Sequence, residues 1–357
     1  MTATTTTTTK LLAMGDPQAP LRTVRGVLAH HGLLGSVDDA TLRPGARLLS
    51  IGDHFDWGSV ADRRRSADDG EALLSWLASH DPAQVVLLAG NHDLARVGEL
   101  LGVSDEVFQR LQVLADKHYN GGKDVDDEAA FFRACSFSPS TEMVARDLSA
   151  YRASQQTLVS RLLLDRRLRL AHAEGGLLFT HAGVTRKALM RLGLDDGDPA
   201  ELIADALNRA LDDSVDRCLR ATVPVPLVLP GLHCPGDGIG EGDGVLYHRP
   251  TFVDNDEWLE PRRYDPRRLP RGLWQVVGHV RDKRCVDALK GWSEPKTPVV
   301  GVVRHLVSHA GQVVYRHGLP PPRASLPADA AVVLFIDGAM QECPPENYQL
   351  LDVAAVT

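Results

Sequence analysis

A chain of 357 residues, 43% hydrophobic and 24% charged, has the composition of a soluble globular protein with a sizeable core. A net charge of −8 gives no electrostatic reason to expect nucleic acid or a membrane surface as a partner. The five cysteines form no CxxC pair, so neither a zinc ribbon nor a disulfide framework is indicated, and no run approaches the length of a transmembrane helix. A soluble protein of the reducing cytoplasm is expected.

The predicted elements begin after a tail. Residues 1–10 are mostly threonine, cannot bury apolar surface, and lack the charged and apolar regions of a signal peptide. A single α/β domain is expected over 11–340, with 341–357 as a C-terminal extension. A strand at 11–14 leads to Asp16, and Pro20 and Gly32 bracket a helix over 20–31. A second strand leads to Asp53, a helix lies around 69–79, and a third strand leads to Gly90. From 94 to 167 the apolar spacing turns helical, at 97–114 and 141–164, around a polar Gly121-Gly122-Lys123-Asp124 turn. This reads as a helical insertion. Runs at 167–171 and 177–179 suggest a hairpin through Glu174-Gly175-Gly176, and a helix follows over 199–220. Residues 223–270 are rich in proline, glycine and charge, and form a second, irregular insertion. β-Branched runs at 274–277, 299–307, 312–317 and 331–336 predict a mostly antiparallel second half.

The chemistry sits just beyond the strands. In order come Gly15-Asp16-Pro17-Gln18, Gly52-Asp53-His54-Phe55-Asp56, Gly90-Asn91-His92-Asp93, Thr180-His181-Ala182-Gly183 and Gly278-His279. Each follows a short apolar run, so carboxylates, an amide and imidazoles are carried to several strand ends. Two divalent cations a few ångströms apart need a bridging carboxylate, further oxygen and nitrogen ligands, and a separate proton donor. Asp53 suits the bridge, Asp16 one metal, and Asn91, His181 and His279 the other. His92, beside Asn91, can protonate a leaving oxygen if a carboxylate such as Asp56 holds its ring.

These motifs resemble those of the calcineurin-like metallophosphoesterases, in particular the phosphoprotein phosphatase branch and its bacterial relatives, including diadenosine tetraphosphate hydrolases. The resemblance covers about residues 13–337, because Phe335-Ile336-Asp337-Gly338 also looks like that family's closing strand. It implies a four-layer α/β sandwich with two facing mixed sheets. It further implies a dinuclear centre, with Mn²⁺ foremost and Mg²⁺, Fe or Zn²⁺ as alternatives. Asp16 and Gln18 would serve the first metal, Asp53 would bridge, and Asn91, His181 and His279 would hold the second. His92 and Asp56 would be the catalytic dyad and Arg249 a substrate-binding residue. The implied activity is phosphomonoester hydrolysis by in-line attack of a metal-bridging hydroxide. The substrate would be a phosphorylated small molecule, a nucleotide or a phosphoprotein. Hydrolysis of nucleotides or dinucleoside polyphosphates is the rival activity. A degenerate protein that only binds phosphorylated ligands is the rival without catalysis.

Three positions depart from the family pattern. Gln18 stands where histidine is usual, which predicts a looser first metal and a preference for Mn²⁺ or Mg²⁺ over Zn²⁺ there. Trp57 stands where the phosphatase branch has a phosphate-gripping arginine; Arg63, Arg64, Arg65 and Arg96 are nearby substitutes besides Arg249. Arg281 replaces the second histidine of a His-x-His pair, so the first metal would have no histidine ligand. Several other features read as structural. His54 is assigned to the site rim without a chemical role, and His172 and His118-Tyr119 to structure. The loop from His233 to Gly238 and the Arg262-Arg263 and Arg267-Arg268 cluster read as solvated connectors. Asp124 to Glu128 lacks the spacing of a calcium loop.

Overall fold

Two β-sheets stack face to face, and the alternation of side chains along each strand explains why. In β1 (Leu11–Met14), Leu11 and Ala13 enter a core between the sheets, whereas Leu12 and Met14 enter a second core under helices. Both faces are covered, so the strand is apolar throughout, as buried parallel strands are. The computed structural model describes residues 10–119, 129, 131, 133, 140–236, 241–254 and 262–357. The threonine tail before Lys10, the Gly121-to-Asp124 turn, the run from Asp124 to Glu128 and part of the loop from His233 to Gly238 lie outside the described residues.

The first sheet continues with β2 (Arg47–Ser50), β3 (Val85–Leu88) and β4 (Leu168–Arg169), all parallel to β1. In the second sheet, β5 (Ala171–Glu174) pairs antiparallel with β6 (Leu177–Thr180). The run read as one hairpin strand at 167–171 is therefore divided between the sheets, and the chain turns at Leu170. Asn208 makes that turn tolerable: its Oδ1 accepts from Leu170 N and Ala171 N, and its Nδ2 donates to Ala171 O.

Residues 223–270 carry two short pairings, β7 (His233–Cys234) with β8 (Asp243–Gly244) and β9 (Arg249–Pro250) with β10 (Arg263–Tyr264). Then β11 (Trp274–Val277), β12 (Arg304–His309), β13 (Gln312–His317) and β14 (Ala331–Phe335) give the second sheet the order β13-β12-β14-β11-β6-β5. The expected antiparallel second half holds for β12 with β13 and β14. It fails at the centre, where β11 is parallel to both β6 and β14. Finally β15 (Leu351–Asp352) adds an antiparallel edge to β1.

Leu49, Ile51, Leu88, Phe179, Val276, Leu334 and Ile336 fill the space between the sheets. Helices Leu21–His30, Arg63–Ala78 and Ala153–Leu164 cover the outer face of the first sheet, and helix Asp282–Leu289 covers part of the second. The result is the expected layered α/β sandwich with two mixed sheets flanked by helices. Phe108, Leu111, Met143 and Tyr151 form a separate small core in the helical segment. No helix among the described residues is long and apolar enough to cross a membrane.

Candidate metal centre and its cavity

The parallel strands of both sheets end at the same edge of the sandwich, where a cavity of about 940 Å³ opens. Asp16, Gln18, Asp53, Asp56, Asn91, His92 and His279 line it, and His181 lies fully buried behind them. Glycine is what permits such crowding. A Cβ on Gly90 would collide with Asp53 Oδ1, and one on Gly278 with Asp16 Oδ1. Asp53, Asp56 and His279 themselves have φ of 59°, 63° and 61°. This left-handed conformation costs a non-glycine residue about 1–3 kcal/mol, and such strain tends to gather at functional sites.

One carboxylate outside the predicted ligand set holds the frame. Asp93 is fully buried and accepts from Asp53 N (2.9 Å), His54 N (3.1 Å) and Gly90 N (2.8 Å). Burial would raise its pKa, yet the His54 charge, its hydrogen bond and the backbone donors bring it down to about 2. His54 is accordingly not a rim residue. It is fully buried, with one ring nitrogen 3.1 Å from Asp93 and the other 2.9 Å from Ser50 Oγ.

Asp53, His181 and His279 each present a ligand atom within 4.8 Å of the others. His181 Nδ1 lies 3.1 Å from the Ile51 carbonyl, and its Nε2 lies 2.9 Å from Asn91 Oδ1 and 3.5 Å from Asp53 Oδ2. An imidazole nitrogen, an amide oxygen and a carboxylate oxygen thus face one another. His279 Nε2 is buried without a hydrogen-bond partner among the described residues. Burial, then the Arg249 charge, holds its pKa well below the ordinary imidazole value, so the neutral ring offers a lone pair. A buried orphan nitrogen beside converging oxygens fits a divalent cation. Towards the other side, Asp16 accepts from His279 N at 3.1 and 3.0 Å. Its carboxyl is pushed well above the usual range by burial, then by Asp337 and Asp53. Gln18 Nε2 donates to Phe55 O (3.1 Å), which leaves the amide oxygen for an ion or a water.

His92 stands beside this group. Its backbone N–H donates to Asp53 Oδ1 (2.9 Å), and its Nδ1 donates to Asp56 Oδ2 (2.9 Å). Asp56 also accepts from Arg96 Nη1 (2.6 Å) and from Ala150 N (3.0 Å), the latter supplied by the helical segment. Burial would raise Asp56, but the Arg96 charge and then the His92 contact hold it below the usual carboxylate range. His92 is pulled both ways. Burial lowers it, while the charge of Asp53 and then the Asp56 bond carry it up to about 9.

The arginines fall out differently from their sequence proximity. Arg63 is tied to Asp116, Arg65 lies over the Trp57 ring, and Arg96 is fully buried on Asp56; none of the three lines the cavity. Arg64 does not line it either. Trp57 is packed away, its backbone N–H donating to Ser66 Oγ (2.8 Å). Arg249 does line the cavity and donates to Glu241 at 2.6 Å. Arg263, Arg281, Lys283, Arg284 and Lys290 extend the basic wall, and Met143, Arg146, Asp147 and Leu148 contribute from the helical segment. Asp93 and Asp337 stood within quoted motifs without a role of their own, and Arg96 among the nearby arginines; what Asp93 and Arg96 do depends on His54 and Asp56, far away in the chain.

No family model matches the chain, and no curated protein matches it. Among solved structures, a mutant cold-active protein tyrosine phosphatase is similar over 60% of this chain, with 15% identity and a TM-score of 0.32. The chain spans about half of that protein, 51% of its length. So loose a likeness carries no argument about this protein.

Proposed function

We propose that this protein is a metal-dependent phosphomonoesterase in which His92 is the general acid. The observation that carries the reading is the His92–Asp56–Arg96 chain, set beside the convergent lone pairs of Asp53, Asn91, His181 and His279. Two divalent cations, one at Asp16, Gln18 and Asp53 and one at Asp53, Asn91, His181 and His279, would neutralise phosphoryl charge and acidify a nucleophilic water.

The chain's own residues supply the rest. Asp56 keeps the His92 proton at Nδ1 in place and so presents the titrating Nε2 proton to the substrate. As the bond between phosphorus and the leaving oxygen breaks, that oxygen takes the Nε2 proton. Water supplies the new oxygen on phosphorus, and its proton returns to solvent or to His92. Arg96 preserves the charge of Asp56, and Arg249 meets the phosphoryl oxygens from the opposite wall.

A second reading, hydrolysis of a nucleotide or dinucleoside polyphosphate, draws support from the extended basic wall and from Phe252, which lines it. The test is turnover of p-nitrophenyl phosphate by protein supplied with Mn²⁺. We expect turnover that is abolished by Asp53→Asn and reduced by His92→Ala. Protein that binds Mn²⁺ yet hydrolyses no phosphoester would support the binding-only reading instead.

A further inference from the structure

We infer that Asp337 is a metal ligand, the oxygen donor that completes the first cation site in place of the absent histidine. This rests on the metal-dependent reading above.

The argument comes from sheet register. In the first sheet Met14 pairs with Ser50 and Ser50 with Leu87, so β1, β2 and β3 end side by side and lead to Asp16, Asp53 and Asn91. In the second sheet Val276 pairs with Phe179, and Val277 with Phe335. Beyond the strands, Gly278 N still donates to His181 O and Ile336 N to Val277 O, both at 2.8 Å. The register therefore continues, and β6, β11 and β14 lead to His181, His279 and Asp337. Each sheet delivers three polar residues from three adjacent parallel strands. The five motifs legible in the sequence account for five of these six ends, and Asp337 is the sixth.

Its surroundings agree. Asp337 is 3% exposed and lines the cavity with Asp16 and Asp53. The backbones touch, since a Cβ on Gly15 would collide with the Ile336 carbonyl and crowd Asp337 N. Asp337 Oδ1 accepts from Ala339 N (3.0 Å). Oδ2 has Arg281 Nε as its nearest cation, at 3.9 Å, which is too long for a hydrogen bond. Oδ2 therefore makes no hydrogen bond among the described residues and is available as an oxygen donor on the wall it shares with Asp16 and Asp53. The Nε2 of His279, just beyond the adjacent strand β11, is buried without a hydrogen-bond partner among the described residues and points to a cation in the same cavity. The first site then becomes Asp16, Asp53, Asp337 and the Gln18 amide. That all-oxygen set suits Mn²⁺ or Mg²⁺ better than Zn²⁺.

The experiment titrates EDTA-stripped full-length protein with Mn²⁺ by calorimetry and counts bound ions by elemental analysis. Wild type should take two ions per chain. Asp337→Asn keeps an oxygen for Ala339 N–H and should retain one ion. The other should weaken by more than about tenfold, the loss that removing even an outer-shell partner can cause. Asp337→His, which restores an imidazole, should regain the second ion with Zn²⁺ preferred over Mn²⁺. Equal melting temperatures of the metal-free proteins would separate ligation from folding. If Asp337→Asn melts low, the metal preference of Asp337→His decides alone. An Mn²⁺ titration unchanged by Asp337→Asn overturns the inference and leaves the phosphoesterase reading intact. Wild type that binds no divalent cation overturns both.

Discussion

His92 Nδ1 lies 2.9 Å from Asp56 Oδ2, and that same oxygen accepts from the fully buried Arg96 at 2.6 Å. The imidazole is thus held by a carboxylate whose charge is itself secured, so the free face of the ring is always Nε2.

That arrangement predicts a dependence on the leaving group. p-Nitrophenolate departs without a proton, whereas an alkoxide does not. His92→Ala should therefore slow hydrolysis of an alkyl phosphate by about 10²–10⁴-fold, the usual range for general acid catalysis. The loss with p-nitrophenyl phosphate should be much smaller. Steady-state kcat on both substrates checks this, and an equal loss on the two would remove His92 from the role of acid.

The pH dependence has a definite sign. His92 sits at about 9 against an ordinary value of 6.5, with Asp53 as the foremost charge opposing the effect of burial. Its protonation therefore adds stability that is fully present below about pH 6.5 and is lost as pH rises through about 9. An NMR titration of the metal-free protein should place the His92 midpoint near 9 and move it down in Asp53→Asn. A wild-type midpoint near the ordinary value would contradict the electrostatic account.

Arg96→Met should be costly without touching substrate. It strips Asp56, which is buried beside it, of its strongest countercharge. Removing one partner of a buried ion pair costs about 3–5 kcal/mol, readable as a lower midpoint in urea. A loss under 1 kcal/mol would mean that water already reaches the pair.

Glu241 competes for Arg249. Because Arg249 donates to Glu241 at 2.6 Å, a phosphate bound at Arg249 in the proposed way has to displace that carboxylate. Glu241→Gln should weaken the competing bond by about 1 kcal/mol, lowering KM roughly fivefold with little change in kcat. Arg249→Ala should raise KM instead. Unchanged KM in both variants would place the phosphate elsewhere on the basic wall.

Much of this was legible in order along the chain. A short apolar run followed by Gly-Asp, Gly-Asn-His, Thr-His or Gly-His is a local signal, and it located β1, β2, β3, β6 and β11 together with the polar residues that follow them. The α/β class followed from the same alternation, and the layered sandwich from the family resemblance. Local signals failed where pairing over long separations decided the outcome. The run at 167–171 was divided between two sheets, with Asn208 satisfying the bend. β11 became a central parallel strand because β6 and β14 flank it.

The side chains divide in the same way. Type and order alone brought forward Asp16, Asp53, Asn91, His92, His181 and His279, because donor chemistry belongs to the residue itself. Only the folded chain decided that Arg96 serves Asp56 rather than the cavity, that His54 is buried on Asp93, and that Asp337 stands in register with His279. Register, burial and countercharge are properties of neighbours, and these neighbours lie 39 and 40 residues apart or meet only across adjacent strands of a sheet.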